Sequence, residues 1–383
     1  MPTDVLGVPS AVDWEVLQLA TMTESAVRDA VPPTSDRVTA FRSRLRVRVA
    51  GRVGESWADG STPGERELGE ALAAACRGPR LDDPFGAGYG HVSEPPRAVP
   101  LADLTSILCR PHVLRVDGRR RSVSLSTSAG ARVRWTHDDV RVLIGFRNGR
   151  RTTPLAVFDS AEVPASVDAA LPAAEVRPVG RHGELTAPWL VSPIATSQLF
   201  GADWLAGMAA TGGSCSSWPA ACTIVDHGTG APTDLEGTPR RPQVIVRDGR
   251  VLRPLRTLVD SGRQRDWTGH AGPAGADPED LVLRPDTVLD AATDSPVCLI
   301  TAARSLPAAP DVVVLTAMVP PIGPAARVDT ILVRIKDGPG LLAAGQWTWP
   351  SQRGTGCWSL PWLRLDEPTA AVSVLELLDR ADD

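Results

Sequence analysis

Thr223-Ile224-Val225-Asp226-His227-Gly228 is followed by Thr233-Asp234-Leu235-Glu236-Gly237-Thr238-Pro239, then by Gln243 to Gly249, then by Trp267-Thr268-Gly269-His270-Ala271. The first segment continues a strand that runs to Val225, with Asp226 just after it. The second reads as a tight turn: Asp234 and Glu236 can cap neighbouring amides, Gly237 can supply an unusual φ, and Pro239 fixes the exit. For this turn a structural role and contact with a substrate are both open readings. The third segment is one arm of a hairpin with Arg250 to Leu255, turning at Asp248-Gly249.

Around this stretch the pattern predicts a mainly β half. A short strand at Trp189 to Val191 leads into a helix from Ser197 to Ala210, with Leu199, Phe200, Trp204, Leu205 and Met208 on its buried side, and then a strand at Ala221 to Val225. Beyond residue 281, apolar runs at Val297 to Thr301, Val312 to Thr316 and Thr330 to Ile335 read as strands, and Ala370 to Arg380 as a last helix.

Toward the N-terminus, Asp13 to Ala30 carries Val16, Leu19, Ala20, Ala26 and Val27 at helical spacing and stops before Pro32-Pro33, so a first helix is expected. Arg44, Arg46 and Arg48 alternate with Leu45, Val47 and Val49, the pattern of a strand with one wet face, and Gly51 and Gly54 let the chain turn. Thr62-Pro63-Gly64-Glu65 predicts a helix start with Thr62 as cap and Glu65 reaching back, running to Gly78. Short strands follow at His112 to Val116, Ser122 to Thr127, Ala131 to Trp135, Val140 to Arg147 and Thr152 to Phe158. Asp117-Gly118, Ala129-Gly130 and Asn148-Gly149 supply the turns of an antiparallel meander, which leaves Arg119-Arg120-Arg121 at a solvated hairpin end. Pro164 to Pro188 is rich in Ala and Pro, which places a boundary near residue 180 and divides the chain into 1–180 and 181–383.

A chain of 383 residues is long enough for two cores, and 43% hydrophobic against 22% charged residues supports them. The net charge of -5, with a single lysine (Lys336) and arginines spread along the chain, provides no footprint for nucleic acid. The first thirty residues lack a basic start followed by an apolar core, and Val312 to Ala326 is broken by prolines, so a soluble, cytoplasmic protein without a membrane partner is expected. Six cysteines scattered through such a length read as reduced thiols.

A helical zinc site needs two histidines three or four residues apart on one face with an acid beside them. No two of His91, His112, His137, His182, His227 and His270 lie within twenty residues of each other. Cys215 and Cys222 are too far apart for a zinc knuckle, Gly213-Ser214-Cys215-Ser216 is not the G-x-S-x-G elbow, and neither nucleotide-binding glycine motif occurs. Spacing alone therefore yields a two-domain α+β protein.

The four segments from Cys222 to Ala271 resemble the C-terminal domain of the TldD/PmbA family, the "modulator of DNA gyrase" peptidases. There a strand ending in Asp, a D-x-E-G-x-P turn, a strand ending in a turn Gly and a T-G-[HN] segment follow in this order. Pro188 to Ala210 and Arg44 to Ala75 resemble further parts of that family, and the likeness fades beyond residue 285. The resemblance implies an N-terminal α/β domain with an antiparallel meander, followed by a mainly β C-terminal domain of TldD/PmbA type.

It also implies two kinds of subunit. TldD-like chains carry H-E-x-x-x-H and zinc, whereas TldE/PmbA-like chains keep the fold without the ligands. The corresponding stretch here, Ser197-Gln198-Leu199-Phe200-Gly201-Ala202-Asp203-Trp204, has neither His nor Glu. No catalytic residue, metal ligand or cofactor is therefore carried over to this chain; zinc is expected in a TldD-like metallopeptidase partner, and a peptide is the expected substrate. Asp226, His227, Asp234, Glu236, Gly237 and His270 are the candidates for substrate or interface contact, because the resemblance sets this region near the cavity between subunits. Two other readings stand beside it: an independent hydrolase acting through Cys215, Asp226 or His227, and a peptide-binding scaffold without a catalytic partner.

Overall fold

The structure is a computed structural model that describes residues 12–28, 34–86, 104–148, 151–165, 171, 188–199, 222–228, 231–248, 250–252, 255–257, 268–272, 275–276, 278, 280–288, 297–306, 309–319, 327–335, 345–354, 358–368 and 372–378. The first half is one antiparallel sheet built from β1 (Asp13–Val27), β2 (Thr34–Val49), β3 (Arg52–Asp59), β4 (Val113–Thr127), β5 (Arg132–Asn148) and β6 (Arg151–Asp159). Pairing gives the order β3-β2-β1-β4-β5-β6. Helices α1 (Glu65–Ala75) and α2 (Leu104–Leu108) lie on one face. α1 covers Val16, Leu45 and Val47; α2 covers Ala26, Val116 and Val142.

The expected first helix is a strand. β1 is hydrogen-bonded to β2 on one side and β4 on the other, and Val16 and Leu17 are both buried, one on each face of the sheet. A strand buried on both faces carries apolar residues in succession, and such a run is indistinguishable from a helical stripe by spacing. The expected turn at Asp117-Gly118 is absent, and four of the expected short strands merge into β4 and β5. Arg119, Arg120 and Arg121 lie in register with Asp139, Asp138 and His137, and Arg120 holds the buried Asp138 carboxylate through two bonds of 2.7 and 2.6 Å. The Ala129-Gly130 turn stands, with Gly130 at φ 83, whereas Gly149 lies outside the described residues.

α1 begins later than its sequence signal. Gly64 is the N-cap, and Glu67, not Glu65, reaches back, its Oε2 accepting the Gly64 amide at 2.8 Å. Gly54 is no turn residue either: it lies in β3 where α1 packs so closely that an added methyl would overlap the carbonyl of Ala71.

In the second half, β7 (Trp189–Val191) enters α3 (Pro193–Leu199), and β8 (Cys222–Asp226) is followed by the hairpin β9 (Gln243–Arg247) and β10 (Arg250–Val251). β11 (Ala271–Gly272) and β12 (Gly275–Ala276) form a small separate hairpin. Then come β13 (Leu281–Pro285), β14 (Cys298–Leu306), β15 (Ala309–Val319), β16 (Arg327–Ile335), β17 (Gln346–Arg353), β18 (Trp358–Leu365) and β19 (Val372–Leu378). The order β19-β16-β15-β14-β7-β18-β17 forms the main run, with β13-β8-β9-β10 attached beside β18. A bridge between Arg353 of β17 and Val157 of β6 joins this run to the first half. The expected C-terminal helix is β19, because pairing with β16 satisfies its backbone and its Val372 and Val374 suit a strand. From residue 200 the expected helix lies outside the described residues, as do Ser214, Cys215 and, apart from Leu171, residues 166–187. Among the described residues no helix is long and apolar enough to cross a membrane.

The architecture is α+β, with a mainly β second half around a core that includes Trp189, Trp358, Leu315 and Ile331.

Candidate functional site

β8 delivers Asp226 at its last position, where the side chain is fully buried. Its Oδ1 accepts the amides of Gly228 at 2.9 Å and Asp280 at 3.3 Å, and its Oδ2 lies 3.4 Å from Nε2 of His270, also fully buried. Neither ring nitrogen of His270 has a hydrogen-bond partner among the described residues. His227 points the other way, with Nε2 2.9 Å from the Arg284 guanidinium near the surface.

The turn after β8 is organised by Asp234. Its Oδ1 accepts the amides of Glu236 (2.8 Å) and Thr238 (2.9 Å), and its Oδ2 accepts that of Ala271 (2.9 Å). One carboxylate therefore ties its own turn to the Thr268-Gly269-His270-Ala271 segment, and the Leu235 amide adds a bond to the Ala271 carbonyl at 3.1 Å. Gly237 adopts φ 76, in the left-handed region that favours glycine. Gly269 is at φ 75, and a methyl there would sit 2.5 Å from the Pro239 carbonyl oxygen. Burial, and then the charge of Glu236, push the Asp234 carboxyl up to about 6, against the opposing bonds from Ala271 and Thr238.

This knot docks on the face of the first sheet opposite α1 and α2. Ala231 and Leu235 pack on Leu17, Leu125, Val133 and Trp135, and the Trp135 indole donates to the Thr233 hydroxyl at 2.9 Å. Glu15, Arg46 and Glu55 stand side by side on β1, β2 and β3. Arg46 donates to Glu55 at 3.0 Å and to Glu236 at 2.5 Å, and its Nη1 lies 3.7 Å from Glu15. Arg44 donates to Glu15 and to the Leu235 carbonyl, both at 2.9 Å. Burial alone would lower the Arg46 pKa, but Glu236, Glu15 and Glu55 outweigh it and hold it above its ordinary value. The Glu55 carboxyl, which burial would raise, is held low by Arg46 and Arg44.

Five of the six candidate residues thus belong to one buried knot: Asp226, Asp234, Glu236, Gly237 and His270. His227 alone lies outside it. Glu236 meets Arg46 across the two halves. The arginines expected on a wet face are the anchors of the knot, with Arg44 and Arg46 2% and 3% exposed. Glu15, Arg44, Arg46, Glu55 and Trp135 were not among the candidates. Their signal was present as acids on both strands flanking an arginine-bearing one, but it becomes readable only once β1 is known to be a strand.

The described part of the stretch that corresponds to the zinc helix, Ser197 to Leu199, carries no histidine, cysteine or acid. Within α3, Ser197 donates to the Ile194 carbonyl at 2.9 Å and Gln198 accepts the Ala303 amide at 2.8 Å, so both are engaged in structure. Among the described residues no group of three or more His, Cys, Asp or Glu side chains is gathered as metal ligands. Burial pushes the Cys222 thiol up to about 12, with Asp286 and Asp248 adding to it, so it is an inert core thiol.

No protein-family model matches the chain, and a search of curated proteins finds no match. Solved structures do match. A Thermotoga maritima protein described as a modulator of a DNA gyrase superposes with a TM-score of 0.62 at 14% identity, covering 94% of this chain and 96% of that one. TldE from Thermococcus kodakarensis gives 0.57 at 13% identity over 93% and 96%, and a Bacteroides thetaiotaomicron protein described as a modulator of DNA gyrase gives 0.51 at 12% over 95% of each chain. The chain has the fold of these proteins along nearly its whole length.

Proposed function

We propose that this chain is a TldE-like member of the TldD/PmbA family: a non-catalytic subunit that pairs with a TldD-like zinc peptidase and shapes the chamber in which an unfolded peptide is cut. The observation that carries this reading is the fold shared with TldE over 93% of the chain, in a sequence whose corresponding helix has no H-E-x-x-x-H. The buried knot supports it. Asp226 and Asp234 tie segments of the second half to one another and Glu236 ties them to Arg46 of the first sheet, which suits a rigid wall better than a reaction centre. Zinc, and with it the activated water, belongs to the partner in this reading. Removal of a leader peptide during biosynthesis of a modified peptide in the cytoplasm, or degradation of small unstructured proteins, are the processes it fits.

Co-expression with a TldD-like protein tests it. The expected result is a stable complex that cleaves a peptide, with cleavage lost and the complex retained when the partner's zinc ligands are replaced. Cleavage by this chain alone, insensitive to chelators, would overturn the proposal.

A further inference from the structure

The helix-covered face of the first sheet is incompletely covered. α1 and α2 pack on its two ends, and between them lies a cavity of about 460 Å³ whose lining includes Gln18, Phe41, Ser122, Ser124, Arg134 and Thr136. Two rungs of the sheet make its floor. Phe41, Ala20, Ser122 and Thr136 are direct neighbours across β2, β1, β4 and β5, and Gln18, Ser124 and Arg134 form the next rung. The opening exists because Ala20, Ser122, Ser124 and Thr136 are short where the flanking rungs carry Val16, Leu45, Val116 and Val142. From Phe41 to Thr136 the floor spans three strand spacings, about 14 Å.

Its chemistry is graded along that length. At the β2 end Phe41 is 52% exposed, a large apolar surface. In the middle, Ser122 and Thr136 share a 3.1 Å contact, and Gln18 donates to the Ser61 carbonyl at 2.6 Å, which leaves its amide oxygen to accept. At the β5 end the Arg134 guanidinium has no acidic partner among the described residues.

The geometry points to a binding groove for an extended peptide segment that presents a carboxylate to Arg134 and an apolar side chain to Phe41. The carboxylate follows from the unpaired guanidinium, which binds carboxylates in a fork. The peptide follows from the middle of the groove: hydroxyl and amide groups that both donate and accept match a peptide main chain, whereas an acyl chain would leave them unpaired. A C-terminal carboxylate and an acidic side chain offer the same chemistry. This inference rests on the peptide-handling role proposed above and adds where, and by which end, this subunit holds the peptide.

The test uses the full chain without a partner and a fluorescein-labelled hexapeptide of alternating alanine and valine, in three forms: free C-terminal acid, C-terminal amide, and amide with one internal aspartate. The free acid is expected to bind at least about tenfold tighter than the plain amide, and Arg134→Gln to abolish that difference with an unchanged melting temperature. Tight binding of the aspartate form names a side-chain acid as the source; its weakness names the C-terminus. Ser124→Leu, which fills the floor, is expected to weaken every form. Equal affinity for acid and amide, an unaffected Arg134→Gln, or no binding at millimolar peptide would overturn the inference, as would displacement by decanoate as effective as by peptide acid. Failure is separable from failure of the proposed function: a complex that cleaves normally with Arg134→Gln sinks the groove alone, whereas acid-selective binding without any partnered cleavage sinks the subunit role alone.

Discussion

Arg46 Nη2 stands 2.5 Å from Glu236 Oε1, a buried contact across 190 residues of sequence that pins a turn of the second half to the sheet of the first. The guanidinium meets Glu15 and Glu55 as well, so it balances three carboxylates at once.

Arg46→Met is therefore expected to cost roughly 3–5 kcal/mol, the usual penalty for leaving buried charges without their partner. Glu236→Gln keeps an oxygen for Arg46 and should cost less. Urea unfolding of both variants measures the difference, and an Arg46→Met stability equal to that of Glu236→Gln would show that Arg46 is not the hub.

Asp234 makes stability depend on pH. Its folded pKa of about 6 lies above the ordinary 3.8, so the folded state holds the proton more tightly than the unfolded one. The resulting stabilisation is complete below about pH 4 and fades as pH rises through about 6, by up to about 3 kcal/mol. Asp234→Asn should flatten that part of the profile. Denaturation midpoints from pH 4 to 7.5 for the two proteins, taken as a difference, isolate the group; parallel profiles would contradict the assignment.

Gly269 and Gly130 offer a controlled pair, since both have φ near +80 but only Gly269 is pressed against another segment. An alanine at either position carries the left-handed strain of roughly 1 kcal/mol. Gly269→Ala must in addition displace the Pro239 carbonyl and is expected to melt well below Gly130→Ala. Equal melting temperatures would mean that the knot yields easily at this point.

The isolated chain should bind no stoichiometric zinc, because Ser197 and Gln198 of α3 are committed to backbone partners and the histidines are dispersed. Elemental analysis after dialysis without chelator decides it, and one tightly held zinc per chain would end the non-catalytic assignment.

The second-half strands were legible because Val, Ile and Leu runs bounded by Gly and Pro have few alternatives: β7, β8, β9 and the cores of β14, β15 and β16 all lie where the pattern sets them. β1 and β19 were not, since a strand flanked on both sides and an apolar C-terminal run carry the same local spacing as a helix, and only pairing with β2, β4 and β16 distinguishes them. Asp234, Gly237 and Gly269 revealed themselves as backbone devices from residue type alone, because few side chains can cap several amides and few residues tolerate positive φ. What those devices fasten was decided by the tertiary structure. Arg44 and Arg46 look solvated in sequence, and they become buried anchors only because Leu235 and Glu236 arrive from 190 residues away. A charge's environment depends on what covers it, and that is a long-range property which no local pattern of residues encodes.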